Sequence, residues 1–305
     1  MRLGVLDVGS NTVHLQVFET FPGSRPSPTS NLKVELRLAE YVSSDGLVSA
    51  EGVRRLRDSI AQCIEQFKSS GAQELLPFAT SALREAKNGG EIIASINRDF
   101  ELDLQVLSGE EEAGMTFLAA RRWYGWSSGR LLVVDIGGGS LEVAVGVNES
   151  PDVALSLPLG ALRLTKDHLE EDPYSKKSIR RLREYIDAQI GEVLPTLVQH
   201  QDADRAIGTS KTLRTIARLC GDWSDGNGRD IKGESLRRII PRLSEMTEDQ
   251  RRDLPGVSAT RARQIVAGAF VAESVMRNLE IDELEICPWA LREGIILKWL
   301  DWARG

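Results

Sequence analysis

Two aspartates sit in nearly the same local sequence. Asp7 belongs to Arg2-Leu3-Gly4-Val5-Leu6-Asp7-Val8-Gly9-Ser10-Asn11, and Asp135 to Arg130-Leu131-Leu132-Val133-Val134-Asp135-Ile136-Gly137-Gly138-Gly139-Ser140. Each lies near the end of an apolar run. Small residues follow, and then a second strand-like run, Thr12 to Glu19 and Leu141 to Val147. A buried strand delivers such an Asp to the rim of a sheet, where glycines let backbone N–H groups approach an anion without interference from a Cβ. Ser10 and Asn11 in the first turn, and Gly137, Gly138, Gly139 and Ser140 in the second, are therefore candidate phosphate donors. A carboxylate cannot donate to phosphate. Asp7 and Asp135 suit a different task, holding a hard divalent cation (magnesium or manganese), usually through water. Glu142 follows Ser140 by two residues, so strand alternation puts it on the same face. It is either a third acid for that cation or an exposed strand glutamate. A single Asp-x-Gly turn is common hairpin chemistry. Two aligned copies predict two facing hairpins, a double phosphate clamp with a metal between them.

Other residues carry the same kind of chemistry. Gly208-Thr209-Ser210-Lys211-Thr212 follows a short apolar run, and a strand, a glycine and a hydroxyl-rich helix start form an anion-binding turn. Gly208, Ser210 and Lys211 are its candidates; it is not a Walker A loop, which needs a spaced glycine pair. Thr80-Ser81-Ala82-Leu83-Arg84 follows another strand. Arg84 suits bidentate phosphate recognition, or is a solvated arginine in a first helical turn. In Ser108-Gly109-Glu110-Glu111-Glu112-Ala113 the spacing of Ser108 and Glu111 is that of a capping box and first-turn acids suit the macrodipole, which accounts for one or two of the three acids and leaves a third without that role. Like-charge repulsion from its acidic neighbours would raise its pKa, which suits a base working near neutral pH. Lys176, Lys177, Arg180, Arg181 and Arg183 are the most basic run, either a solvated helix face or a track for a chain of phosphates.

The elements that position these residues are legible from periodicity and turn composition. Strands are expected at Leu32–Leu38, Glu74–Thr80, Leu104–Leu107, Val153–Leu159, Ala203–Ile207 and Leu284–Cys287. Helices are expected at Glu51–Ser70 with Ser49 as cap, Glu91–Phe100, Ser175–Gln199, Glu234–Met246 and Thr260–Leu279, and from Ala290 onward. Pro22–Pro28 and Asp222–Gly228 read as loops. A chain of 305 residues exceeds one comfortable core, and the break at Trp123–Gly129 divides it into 1–126 and 127–289. The net charge of −7 argues against a nucleic-acid binder. Three scattered cysteines suit reduced thiols. No apolar run reaches ~18 residues and the N-terminus opens on a strand, so a soluble cytoplasmic protein with no membrane partner is expected.

DVGSNTVHL and DIGGGSLEV resemble the two signature turns of the Ppx/GppA phosphatase family, exopolyphosphatases and guanosine pentaphosphate phosphohydrolases within the actin, sugar-kinase and heat-shock-chaperone ATPase superfamily. The resemblance extends through GTSKT, Arg261-Ala262 and Leu291-Arg292-Glu293-Gly294 to essentially the whole chain. It implies an α/β fold of two actin-like domains around a central cleft, with the terminal helix, 290–305, packing back on domain one. By the same resemblance Glu112 is the general base and Arg84 reaches the active site. Magnesium anchored by Asp7 and Asp135, with Glu142 assisting, offsets phosphate charge. The implied substrate is inorganic polyphosphate or guanosine pentaphosphate, and a homodimer is left open. The chain departs from the family at Ser81, where Asn is usual, and at Arg263, where Asp is usual. It lacks the C-terminal extension of the longer members, from which a preference for short polyphosphate is expected. Two rival functions share the clamps: an ATP-dependent small-molecule kinase, and a non-catalytic sensor of polyphosphate or an alarmone.

Overall fold

The computed structural model describes residues 1–21, 25–199, 202–223 and 227–303. The chain divides into two compact units, Met1–Met115 with Leu291–Gly305, and Thr116–Ala290. Unit 1 is built on β1 (Arg2–Val8), with Leu3 and Val5 buried on one face and Leu6 and Val8 on the other. A strand covered on both faces reads as a nearly continuous apolar run. β1 pairs antiparallel with β2 (Thr12–Glu19), which pairs with the edge strand β3 (Ser27–Glu35). A 3-10 turn (Leu38–Tyr41) leads to helix α1 (Ala50–Ser69), capped by the Ser49 hydroxyl, which accepts from Gly52 N–H at 3.2 Å. β4 (Glu74–Ala79) then lies parallel to β1. The short helix α2 (Ser81–Glu85), helix α3 (Gly89–Phe100), strand β5 (Gln105–Val106) and helix α4 (Gly109–Tyr124) follow. The sheet order is β3-β2-β1-β4-β5.

Unit 2 repeats that order. After a 3-10 turn (Trp126–Ser128) come β6 (Leu131–Ile136), β7 (Leu141–Gly146) and β8 (Val153–Leu157), all antiparallel. Helices α5 (Ala161–His168) and α6 (Lys176–Val198) lead to β9 (Arg205–Gly208), parallel to β6. The chain continues through α7 (Lys211–Trp223), β10 (Asp230–Lys232), α8 (Gly233–Glu245), α9 (Glu248–Arg252) and α10 (Ala259–Asn278). β11 (Glu283–Ile286) is parallel to β9, and β10 is an antiparallel edge. Apart from β10, β8-β7-β6-β9-β11 reproduces the order and strand directions of the first sheet. This is the α/β architecture, one sheet per unit, that the actin-like resemblance implies. α10 is buried nearly all round, from Gln264 to Met276, as a helix packed on every side must be.

α11 (Leu291–Trp302) belongs to unit 1, where Ile296 packs with Leu3, Val5, Phe18 and Phe78. α11 passes so near α4 that a Cβ on Gly294 would lie 1.9 Å from the Met115 carbonyl oxygen.

Three features differ from the sequence reading. The division falls at Met115/Thr116 inside α4, ahead of the small-residue break at 123–129. The reason is that the second half of α4 buries into unit 2. Phe117 sits against Gly146, and the fully buried Arg121 donates to the carbonyls of Gly125, Gly129 and Gly146. β3 starts at Ser27 and ends at Glu35, so Pro28 is in a strand. The edge position tolerates it, because a proline has no N–H to offer a ladder. Pro22, Gly23 and Ser24 lie outside the described residues. In the second expected loop Asp222 and Trp223 finish α7, while residues 224–226 lie outside the described residues.

Candidate active site

The two aspartate turns close in the same way. Gly9 N–H donates to the Thr12 carbonyl at 3.0 Å, and Gly137 N–H donates to the Ser140 carbonyl at 2.9 Å. In each hairpin the Asp lies directly opposite a residue of the next strand: Asp7 opposite His14, Asp135 opposite Glu142. By this register Thr12 corresponds to Ser140, as in the ungapped alignment of the two turns.

In unit 1 the turn is held by the segment after β3. Leu38 N–H donates to the Ser10 carbonyl at 2.8 Å, and the N–H groups of Leu36 and Arg37 donate to the Asn11 carbonyl at 2.9 and 3.0 Å. Arg37 adopts a left-handed conformation, φ 51°, to do so. Because a trans peptide sets C=O and N–H in opposite directions, the Asn11 N–H points away from Leu38. β1 and β4 run side by side, so their ends deliver Ser10 and Ser81 together, with hydroxyls 3.2 Å apart and buried. The serine that replaces the family's usual asparagine thus has a partner within the turn.

α2 next places Arg84 against α4. Its guanidinium donates to the Leu107 carbonyl at 2.8 Å and forms an ion pair with Glu112. The capping box closes reciprocally: Ser108 N–H to Glu111 at 2.7 Å and Glu111 N–H to the Ser108 hydroxyl at 3.1 Å. Glu111 is therefore occupied, and Glu112 is left as the acid that turns inward, its side chain 8% exposed. The charge nearest to Glu112 is the Arg84 cation. That differs from the expectation that its acidic neighbours would dominate.

In unit 2 the start of α5 grips the glycine turn. Ala161 N–H donates to the Gly137 carbonyl, and Leu162 and Arg163 N–H donate to the Gly138 carbonyl, at 3.0 to 3.1 Å. Those carbonyls point toward α5, so the N–H groups of Gly138 and Gly139 point the other way. Among the described residues nothing accepts from Gly138, Gly139 or Ser140 N–H. Three successive unbonded amides make an anion-binding concavity. The fit is tight: a Cβ on Gly160 would lie 2.2 Å from the Gly139 carbonyl carbon.

Asp135 receives the Thr209 hydroxyl at 2.5 Å, and Glu142 receives the Ser156 hydroxyl at 2.9 Å. Part of Asp135 remains accessible, yet protein fills most of the space around its carboxyl. This burial pushes its pKa up, while the Thr209 bond and the charge of Arg214 act against it. The second glycine turn has a division of labour not visible in its sequence. Gly208 is small because Leu284 and Leu213 pack on it, Ser210 caps α7 by accepting from Leu213 N–H at 3.1 Å, and Lys211 is exposed at the start of α7. Thr209, which the sequence did not single out, is fully buried and orients Asp135. Lys176, Lys177, Arg180 and Arg181 are exposed on α6. Arg183 lies over Phe270, 5.3 Å from its centroid, and 3.7 Å from Glu273.

The donor set can be tested against a metal on its chemistry. No group of three or more His, Cys, Asp or Glu gathers as a cation cage among the described residues. Magnesium does not need one; it is bound through one or two carboxylates together with substrate phosphates. Asp135 and Glu142, paired across two strands, with the Asp135 carboxyl desolvated, fit that pattern, as does Asp7 in unit 1.

Comparison with known proteins agrees with this geometry. The profile of the Ppx/GppA phosphatase family matches residues 17–303. Exopolyphosphatase 1 of Mycobacterium tuberculosis is 50% identical over 305 residues, covering 99% of this chain and 89% of the relative. A guanosine-5'-triphosphate,3'-diphosphate pyrophosphatase of Vibrio parahaemolyticus is 26% identical, covering 97% of this chain and 59% of its own length. The crystal structure of an exopolyphosphatase from Cytophaga hutchinsonii has the same fold, with a TM-score of 0.88 at 22% identity, over 99% of this chain and 98% of that one.

Proposed function

The chain belongs to the Ppx/GppA phosphatase family, and from that premise we propose that it is an exopolyphosphatase. It removes the terminal phosphoryl group of inorganic polyphosphate as orthophosphate. The observation that carries this reading is the 50% identity to an exopolyphosphatase across nearly the whole chain.

Water is the nucleophile. Glu112 takes its proton as the oxygen attacks the terminal phosphorus, the anhydride P–O bond breaks, and the shortened chain leaves. Arg84, already paired with Glu112, offsets the charge of the transferred group as the water's proton moves to Glu112. The amides of Gly138, Gly139 and Ser140 bind phosphoryl oxygens in unit 2, and Ser10 and Asn11 do so in unit 1. Positioning and electrostatics supply most of the catalysis in phosphoryl transfer, so no covalent nucleophile is required. Asp135 and Glu142 in unit 2, and Asp7 in unit 1, are the acids that would hold magnesium, which would supply charge neutralisation for bound phosphates. No helix among the described residues is long and apolar enough to cross a membrane.

The test is orthophosphate release from long-chain polyphosphate, tripolyphosphate and guanosine pentaphosphate, measured side by side with magnesium. Release from the two polyphosphates well above that from the nucleotide is expected. A reversed preference would assign the chain to the alarmone phosphohydrolases, and no release from any of the three would overturn hydrolysis.

A further inference from the structure

The geometry points to Gly294 as a positioning residue for the general base: by admitting α11 against the backbone of α4, it sets where Glu112 and its partner Arg84 stand. The catalytic consequence rests on the exopolyphosphatase reading; the positioning of the Arg84–Glu112 pair does not.

Gly294 is the fourth residue of α11 and is buried. Its backbone is that of an ordinary helix, so a left-handed turn is not what it supplies. Inside a helix glycine is disfavoured against alanine, because it has more conformational freedom to lose. What it supplies is room. A Cβ there would lie 1.9 Å from the carbonyl oxygen of Met115, 2.6 Å from its carbonyl carbon and 3.2 Å from its Cα. These are backbone atoms of α4, which cannot turn aside as the end of a side chain can. Met115 follows Glu112 by three residues, less than one helical turn. By contrast, a Cβ on Gly114 in the same stretch of α4 would meet nothing within 4 Å.

α11 also touches the chain on the other side of Glu112. Leu107 packs into the cluster around Ile296 together with Leu291 and Ile295 of α11. The Leu107 carbonyl is the acceptor that holds Arg84, at 2.8 Å, and Ser108, next in sequence, opens the capping box of α4. α11 is itself anchored at its start, where Arg292 Nη1 lies 3.4 Å from His14 Nε2 on β2. The terminal helix therefore meets the segment that carries the base both before and after Glu112, at Leu107 and at Met115. The capping box fixes the start of α4, and α11 fixes its sideways position.

Alanine at 294 requires α11 and α4 to part by roughly 1 Å before the new Cβ and the Met115 carbonyl oxygen stand at an ordinary contact. The cap and the carbonyl that holds Arg84 stay where they are, so the separation tilts the first turns of α4. Glu112 then moves relative to Arg84 and to the water it deprotonates. A misplacement of about 1 Å costs on the order of 10²-fold in rate. The amides proposed to bind phosphoryl oxygens lie on the two turns and not on α4, so affinity for substrate is spared.

The test uses the intact chain with magnesium and tripolyphosphate. Gly294→Ala should lower kcat about 10- to 100-fold, with KM and the calorimetric affinity for orthophosphate within about twofold of wild type. In a Glu112→Gln background the same alanine should cost no more than about twofold, because misplacing a group that cannot take the proton changes nothing. An equal loss in both backgrounds, or wild-type kcat with only a lowered melting temperature, would overturn the positioning role. Should Gly294→Ala fail to fold, the whole set is remade on Gly114→Ala, whose Cβ has space and whose alanine favours the helix. A readout without turnover separates this proposal from the hydrolase reading. The coupling between Arg84 and Glu112, measured by urea unfolding of the two single variants and the double variant, should shrink when Gly294 is replaced by alanine. If it shrinks while the wild type releases no phosphate, the positioning stands and the hydrolase reading falls. If the wild type releases phosphate and the coupling is unmoved, the positioning falls and the hydrolase reading stands.

Discussion

Removing either partner of the Arg84–Glu112 pair should have different consequences for stability and for rate. The Glu112 side chain is 8% exposed and that of Arg84 is 22% exposed. Deleting the cation from a fully buried pair costs about 3–5 kcal/mol. Water can follow into the Arg84 side, so Arg84→Met should cost roughly 2–3 kcal/mol after discounting for that screening. Glu112→Gln should cost only about 1 kcal/mol, because Arg84 keeps solvent and the Leu107 carbonyl. The double variant should fall short of the sum by about 1–2 kcal/mol, the signature of two groups in contact. Urea unfolding of the wild type, both single variants and the double variant gives that coupling directly. Glu112→Gln should meanwhile lose ~10²–10⁴ in kcat, equivalent to roughly 3–5 kcal/mol of barrier, far more than its loss of stability. Additive stabilities within about 0.5 kcal/mol would remove the ion pair from the description. A kcat within about tenfold of wild type would remove Glu112 from the base role.

Asp135→Asn should raise the magnesium concentration needed for half-maximal activity, since a hard dication prefers charged oxygens; an unmoved titration curve takes Asp135 out of the metal site. Gly160→Ala should push α5 off the Gly137–Ser140 turn and cost about 1–3 kcal/mol, with weakened orthophosphate binding in calorimetry, whereas wild-type affinity would mean the turn does not depend on that contact. Burial raises the Cys63 thiol to about 11, above its usual value of 9.0. The folded state therefore keeps this proton where the unfolded state loses it, and stability should fall as pH rises through about 9 to 11. Cys63→Ala should flatten that part of a urea-midpoint-against-pH curve, and an unchanged slope would show that another group controls it. Changing Lys176, Lys177, Arg180 and Arg181 together to Ala should raise KM for long polyphosphate more than for tripolyphosphate, and equal or absent effects would make this exposed helix face a solvated one.

What could be read in the sequence was local. Caps at Ser49 and at Ser108 with Glu111 involve residues three apart, so the side-chain chemistry sits next to the backbone it satisfies. The two aspartate turns are also local, and each forms the hairpin expected of it. Arrangements that close over long stretches of chain were not legible. Thr209 finds Asp135 only because β9 runs parallel to β6, and Ser81 finds Ser10 only because β4 runs parallel to β1. β10 and α9 escaped because three and five residues carry too little periodicity to announce an element.

The return of α11 to unit 1 also dictates an order of assembly on the ribosome. Unit 2 is one unbroken stretch, Thr116–Ala290, whereas unit 1 is interrupted by all of it. The face of the first sheet formed by Leu3, Val5, Phe18 and Phe78 must wait for Ile296 and Trp299, nearly three hundred residues later in synthesis. The usual order of N-terminal domain first is thereby reversed. The inserted unit can close while the earlier one still exposes an apolar face, which is covered only once α11 has left the exit tunnel. A stalled nascent chain ending before α11 should be bound by chaperones at its N-terminal sheet and cleaved there by protease, even though its middle is already protected.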